Sequence, residues 1–409
     1  MDKLRVRVYN VRFGDAILIS LPDAPAGRAA ELRHILIDVG NALGTDGGVD
    51  SVFQPVLENV LTELAGSPLD LYIMTHEHMD HVQGLQYGEQ KVFPRKSLKS
   101  MLRVRDAWLT ASANPEYYKT HEDARRKFDE ARGFLEAMQQ YLAAAPDEKT
   151  DWIQGLMAIN NPRSTDDCVS YLRELAVNTW YVHRGSDLAK KHPFKEAKLE
   201  IWAPEEDTSI YYGRFAPVAF GLTSGVGKKD KPTLTMPQPP AGVDAGAFYN
   251  LVEQRRRGFG DNLLTIDKAA NNTSIVLCLE WRGWKLLFPG DAEQRSWLEM
   301  NKKNQLAPVQ FLKISHHGSV TGTPPPELLD KVLPDDTTPR YTVLSAYPDL
   351  KKLTKKEQKW VYQGVPDREV LVELQRRSNL RQTVEVPDGG YIDYLFEGGR
   401  RTATITLSG

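Results

Sequence analysis

Five of the nine histidines in this 409-residue chain fall in two short segments: His76, His78 and His81 in one, His316 and His317 in the other. The first segment reads Thr75-His76-Glu77-His78-Met79-Asp80-His81. It directly follows Leu69 to Met74, which reads as a buried strand, and strand ends are where α/β enzymes gather their sites. His76 and His78 are two apart in an extended loop, so both rings can point the same way. Asp80 and His81 are adjacent and can serve a second centre. Imidazole with carboxylate suits zinc, and also manganese or iron. A lone histidine is usually a satisfied core or surface group. Three histidines and an aspartate within six residues, placed after a strand, point to metal chemistry instead.

The elements that must position this segment can be read from periodicity. Arg5 to Val11 alternates apolar and charged residues, as a half-buried strand does. Ala16 to Leu21 and His34 to Val39 are compact apolar runs, and residues 50–65 carry apolar side chains at helical spacing. Residues 87–178 read as a mainly helical insertion. Within it, 121–144 is amphipathic and ends at Pro146, and 91–105 is basic with no acid. Residues 205–262 are rich in glycine and proline and read as a second, partly loop-like insertion. Strand patterns resume at Leu199 to Trp202, Ser274 to Trp281, Trp284 to Phe288, Val309 to Ile314 and Tyr341 to Ser345. A helix near 354–364 and tail strands near 368–374, 391–396 and 402–408 complete an α/β (α+β) chain, read as one domain over 1–409. There is no repeat of fixed period.

Composition narrows the function classes. Hydrophobic residues at 41% and charged residues at 26% exclude collagen-like, coiled-coil and largely disordered chains. A net charge of -2 excludes binding to nucleic acid through bulk positive charge, so such contacts must come from local patches. Two cysteines, Cys168 and Cys278, cannot build a disulfide framework, and a reducing cytoplasm is expected. The N-terminus has no apolar signal core and no run of ~18 apolar residues occurs, so no membrane association is expected.

The His-x-His-x-Asp-His pattern resembles the signature of the metallo-β-lactamase-fold hydrolases. The resemblance implies a four-layer αββα sandwich with the metal site at one edge of two sheets. It implies that His76 and His78 bind one metal and that Asp80 and His81 bind another. Leu286-Leu287-Phe288-Pro289-Gly290-Asp291 resembles the family's later Gly-Asp motif, which makes Asp291 the bridge between metals. Leu312-Lys313-Ile314-Ser315-His316-His317-Gly318-Ser319 resembles the final histidine motif. His317, before the glycine, is then the ligand, and His316 stands behind it or faces substrate. Ile35-Leu36-Ile37-Asp38-Val39-Gly40 matches the early strand-Asp-Gly motif, in which Asp38 orients loops around the site. Phe13-Gly14-Asp15-Ala16, Asn271-Asn272-Thr273-Ser274 and the tail Asp388-Gly389-Gly390-Tyr391 narrow the likeness to the soluble hydrolase domain of ComEC-type DNA-uptake proteins. The likeness covers most of 5–85, 199–204, 271–346 and 385–408. This sequence has no membrane channel, and the two insertions have no counterpart in that group. Many family members supply a third histidine to the first metal. Only His121, His183 and His192 lie in the interval, and His183, after a plausible strand, is the best candidate ligand; the alternative is a structural histidine.

Two divalent ions, zinc first and manganese next, would lower the pKa of a bound water to about 7 and supply hydroxide at neutral pH. Asp80, His317 and His316 would carry the catalytic roles, with Asp15 and Asp38 supporting the ligands. Lys96, Lys99 and Arg103 of the basic stretch, together with Ser319, would contact substrate; Lys228, Lys229, Lys231 and Arg255 to Arg257 could also track phosphates. Each basic cluster has the alternative reading of a solvated face. Three functions compete: a metal-dependent phosphodiesterase or nuclease acting on DNA or RNA, a metallohydrolase of a small molecule (cyclic nucleotide, lactone or phosphoester), and a non-catalytic binding protein of the same fold. A basic open groove would favour the first, and a deep closed pocket the second.

Overall fold

The computed structural model describes residues 3–24, 30–41, 49–148, 150–216, 222–223, 233–234, 239, 242–345 and 365–409. Its strands are β1 (Lys3–Tyr9), β2 (Ala16–Asp23), β3 (Glu31–Val39), β4 (Leu69–Met74), β5 (Val104–Thr110), β6 (Ala176–Val182), β7 (Lys198–Ala203), β8 (Leu222–Thr223), β9 (Thr233–Leu234), β10 (Val276–Trp281), β11 (Trp284–Phe288), β12 (Phe311–Lys313), β13 (Tyr341–Leu344), β14 (Asn379–Gln382), β15 (Tyr391–Glu397) and β16 (Thr404–Leu407). The helices are α1 (Val49–Leu64), α2 (Met79–Tyr87), α3 (Leu98–Met101), α4 (Tyr117–Thr120), α5 (Glu122–Ala144), α6 (Asp151–Ile159), α7 (Pro162–Arg173), α8 (Ala245–Asn271), α9 (Gln294–Lys302), α10 (Pro326–Val332) and α11 (Arg368–Arg377).

Alternation decides the sheets. In β1, Leu4, Val6 and Val8 point to one face and are buried against Ile17, Ile19, Ile35 and Ile37. The first sheet runs β16-β15-β1-β2-β3-β4-β5-β6. Its β15, β1, β2 and β3 pair antiparallel, whereas β3 to β6 pair parallel. The second sheet runs β14-β13-β12-β11-β10-β7 and is likewise mixed. One core cluster joins the inner faces of both sheets: Leu71, Ile73 and Trp108 from the first meet Leu277, Leu286, Phe288 and Val343 from the second.

Helices cover the outer faces. Val52, Phe53, Val56, Leu57 and Val60 of α1 recur at helical spacing and bury against Leu18, Leu36 and Tyr72. Val82 and Leu85 of α2 and Cys168, Val169 and Leu172 of α7 join the same cluster. On the second sheet, Trp297 of α9, Leu329 of α10 and Leu374 of α11 cover Val276, Cys278, Leu287 and Leu312. A separate cluster packs α5, α6 and α8 together through Phe134, Met138, Leu156, Leu263 and Ile266. Among the described residues no helix is long and apolar enough to cross a membrane.

Several expectations need correction. The stretch 87–178 is mainly helical, but it also supplies β5 and the crossover helix α7 to the first sheet. The helical excursion proper is α4 to α6. The glycine- and proline-rich stretch 205–262 runs into α8, a 27-residue helix capped by Asp244, whose side chain accepts from the Ala247 N–H. The expected strand at 368–374 is α11. Its Val-Leu-Val run imitates a strand, yet Val370 and Leu374, four apart, are the buried pair, and the Asp367 carboxylate accepts from the Glu369 and Val370 amides. The expected helix at 354–364 lies outside the described residues, as do Lys228, Lys229 and Lys231.

Candidate metal centre

β4 is buried throughout and delivers its C-terminal end straight into the histidine segment. His78 then ends the extended run with φ -98° and ψ 149°, and α2 begins at Met79. Asp80 thus sits in the first turn of α2, where the helix dipole favours a carboxylate. The loop after β3 packs tightly on this turn. A Cβ on Gly40 would lie 2.2 Å from the Asp80 carbonyl oxygen, so only glycine fits there. The second sheet contributes Asp291 after β11 and the 315–318 turn after β12.

These segments bring together Asp80, His81, Asp291 and His317, all buried, each with a ligand atom within 4.8 Å of the others. The His81 Nε2 lies 3.2 Å from Asp291 Oδ2 and 3.7 Å from Asp80 Oδ2. The His317 Nε2 lies 3.4 Å from each of the same two oxygens. The His76 ring stands beside the cluster, with centroids 4.2 Å from His81 and 4.7 Å from His78.

The outer hydrogen bonds orient the rings as a cation site requires. Asp38 Oδ2 takes the His81 Nδ1 at 2.8 Å and the Thr75 hydroxyl at 2.6 Å, while Asp38 Oδ1 accepts the Thr75 amide at 2.8 Å. The His317 Nδ1 meets the Ser345 carbonyl at 3.1 Å, and the His76 Nδ1 meets the Thr75 hydroxyl at 3.1 Å. The Nε2 atoms of all three rings are therefore left to the centre. The Nε2 of His76 and of His81 and the Oδ1 of Asp80 are buried without a hydrogen-bond partner, which suits atoms that await a cation. His78 is held the other way. Its Nε2 meets Asn160 Oδ1 at 2.9 Å, and Asn160 donates in turn to Asp267 Oδ1 at 2.9 Å, so Nδ1 is the free nitrogen.

Electrostatics follow from this crowding. Burial alone would raise the Asp80 and Asp291 carboxyls, but His81 and His317 outweigh it and hold both below the usual range; for Asp291, Lys313 helps. Burial would lower His81 and His317, but the same carboxylates raise both, His81 strongly. His76 is pushed well below its ordinary value by burial and by His81 and His78. Asp38, His316 and His317 all adopt positive φ (51°, 45° and 51°), three of the seven non-glycine residues that do so among the described residues. Strain of this kind persists where surrounding contacts over-determine it and tends to gather at functional sites.

Several supporting residues escape a reading by motif. Lys313 is fully buried in β12, ion-paired with Asp15 and 3.6 Å from Asp291 Oδ1. A lysine inside an apolar strand was its only signal. Asp15 also accepts from the Ser345 hydroxyl at 2.6 Å, so it ties the 13–15 loop to the second sheet. Asp267 and Glu293 join His316 in a second group of ligand-type side chains, with His316 Nδ1 3.2 Å from Glu293 Oε1. Glu293 holds the His316 imidazole up at about 9 against the effect of burial.

The remaining expected site residues divide. Ser319 lies in the cleft beside the centre, with its hydroxyl 3.1 Å from His316 Nδ1. Among the described residues His183 makes no hydrogen bond or ion pair with the centre. Its Nδ1 is bonded to the Arg184 carbonyl at 2.8 Å and its amide to Ser186, so it closes its own turn after β6. Lys99 and Arg103 lie at the opposite end of the first sheet. Lys99 pairs with Glu174, just before β6, and Arg103 donates to the Gly66 carbonyl while its own carbonyl accepts from Leu69, the first residue of β4. The length of β4 alone, roughly 20 Å at 3.3 Å per residue, separates them from His76. Lys96 is exposed in the same connection before α3. Side chains of Arg255 to Arg257 lie outside the described residues. The cleft itself holds about 260 Å³ and is lined by Asp80, Asp267, Asp291 and Glu293 against Lys268 and His316. No family model matches this chain, and a search of curated proteins finds no match.

Proposed function

We propose that this protein is a metallo-β-lactamase-fold hydrolase with two divalent cations, zinc or manganese, acting on a phosphodiester. The observation that carries the reading is the convergence of His76, His78, Asp80, His81, Asp291 and His317 from two sheets, with the Nε2 of His76 and the Oδ1 of Asp80 buried and unpartnered. Two facing sheets with helices on their outer faces support the αββα architecture. His76 and His78 would hold one cation, Asp80, His81 and His317 the other, and Asp291 would stand between them. Cations held there would lower the pKa of a bound water to about 7 and stabilise charge on the attacked group. The protein's own part is positional. Asp38 and Ser345 fix the ring orientations, and Lys313 pairs with Asp15 and helps keep Asp291 ionised in a buried site. His316 is placed in the cleft to hold or donate a proton at Nδ1, where Ser319 and Glu293 already meet it.

The ComEC-type likeness favours nucleic acid as substrate. The acidic lining of the cleft favours the second reading, a small phosphodiester, as does the place of Lys99 and Arg103 at the opposite end of the first sheet. Cleavage of end-labelled DNA and of bis(p-nitrophenyl) phosphate, each with manganese or zinc, separates the two. Hydrolysis of either substrate that falls by roughly a hundredfold or more in Asp80→Ala and Asp291→Ala supports the metallohydrolase. Full turnover in either variant would refute it. Cleavage of the small diester without cleavage of DNA would select the second reading.

A further inference from the structure

A second cavity, of about 100 Å³, lies across His78 from the metal centre. Among the described residues His78 alone lines both it and the metal cleft. Helix α8 divides them, with Ile266 and Ala270 on one side and Asp267 and Asn271 on the other. The walls are apolar and aromatic. The Tyr118 and Phe128 rings stack at 4.5 Å, and Leu135 and Tyr212 add to the apolar part of the lining. Two polar groups in this lining have no partner. The Glu77 carboxylate takes part in no hydrogen bond or ion pair among the described residues. The hydroxyl of Thr165, a residue only 9% exposed, is buried and unbonded. At the mouth Arg132 pairs with Asp166 at 2.9 Å, so Glu77 is the acid of this lining with no cation against it.

We propose that this cavity is a ligand site separate from the metal centre, for a compact planar group whose edge carries parallel N–H donors, as in an aromatic amidine. Aromatic walls take the flat face of such a group. A carboxylate accepts two parallel N–H bonds at once, and the Glu77 carboxylate is free to do so here. The volume is of the order needed for a single ring. The site stands whether or not the metal centre cleaves phosphodiesters.

The test is fluorescence titration with p-aminobenzamidine, on metal-stripped and on zinc-loaded protein. The expected result is saturable one-to-one binding in both forms. The neutral isostere benzamide should bind roughly tenfold more weakly or worse, since it offers fewer charge-assisted bonds. Glu77→Gln should weaken the amidine by a similar factor and Tyr118→Ala severalfold, with metal content unchanged. No saturable binding to folded wild-type protein overturns the proposal. So does binding only to stripped protein, which would mean that the amidine pairs with the carboxylates of the metal centre. Equal binding of amidine and benzamide also overturns it, and that comparison needs no variant to fold.

Discussion

The two ends of the parallel strands β3 to β6 carry opposite chemistry. At the C-terminal end, Asp38, His76, His78, Asp80 and His81 crowd together, buried, with ring nitrogens and a carboxylate oxygen left unbonded. At the N-terminal end, Lys99 and Arg103 are spent on Glu174 and on the Gly66 carbonyl, part-buried or exposed. Both sets stand out in the sequence, one as a histidine cluster and the other as a run of basic residues. The difference is that a buried cluster is unstable without something to fill it, whereas surface charge is satisfied by water and weak pairs. Metal chemistry is local, so residue spacing reveals it. A basic stretch acquires meaning only from the direction its element faces.

The largest effect that could sharpen this contrast is on stability. Lys313→Met removes the one cation buried between Asp15 and Asp291. It should destabilise the metal-free protein by about 3–5 kcal/mol in urea unfolding, as for a broken buried ion pair. A loss below about 1 kcal/mol would contradict a buried ion pair at this position. Next, Asp38→Asn should weaken metal binding about 10–100-fold in a competition titration with a chelator, because His81 and Thr75 lose their shared acceptor. Unchanged affinity would show that the ring needs no such support.

A smaller effect concerns pH. Burial raises the Glu77 carboxyl from 4.5 to about 7. Between those values the folded chain keeps a proton that the unfolded chain has released, so stability falls as pH rises through that window. Glu77→Gln removes this dependence, and its Tm should gain on that of the wild type from about pH 5 to about pH 8. A constant difference across the range would contradict the shift. The smallest effect is at the far end. Charge reversal at Lys99 and Arg103 should cost about 0–1 kcal/mol and change hydrolysis of small and nucleic-acid substrates less than about twofold. A selective loss of nucleic-acid cleavage would return that stretch to the substrate path.

Much of the fold was legible, because β1 to β4, α1, α5 and β10 to β13 announce themselves by period. β5 was hidden within a stretch dominated by helices, and α8 by the glycines and prolines that precede it. Strand-like β-branching concealed α11, where an Asp367 cap and the 370–374 pairing decide the matter. In the centre, Asp291 and His317 were legible through their motifs. Asn160, Asp267 and Glu293 were not, since acids and amides are common and only the fold brings α6 and α8 to His78. Nor does a histidine after a strand, such as His183, say which way its turn closes.

The most direct test is elemental analysis after equilibrium dialysis of metal-stripped protein against zinc or manganese, with Asp80→Ala dialysed alongside. Two cations per wild-type chain, falling to one or fewer in the variant, are predicted. Folded wild-type protein that retains no metal, or a variant that retains two, would contradict a dinuclear centre built on these residues.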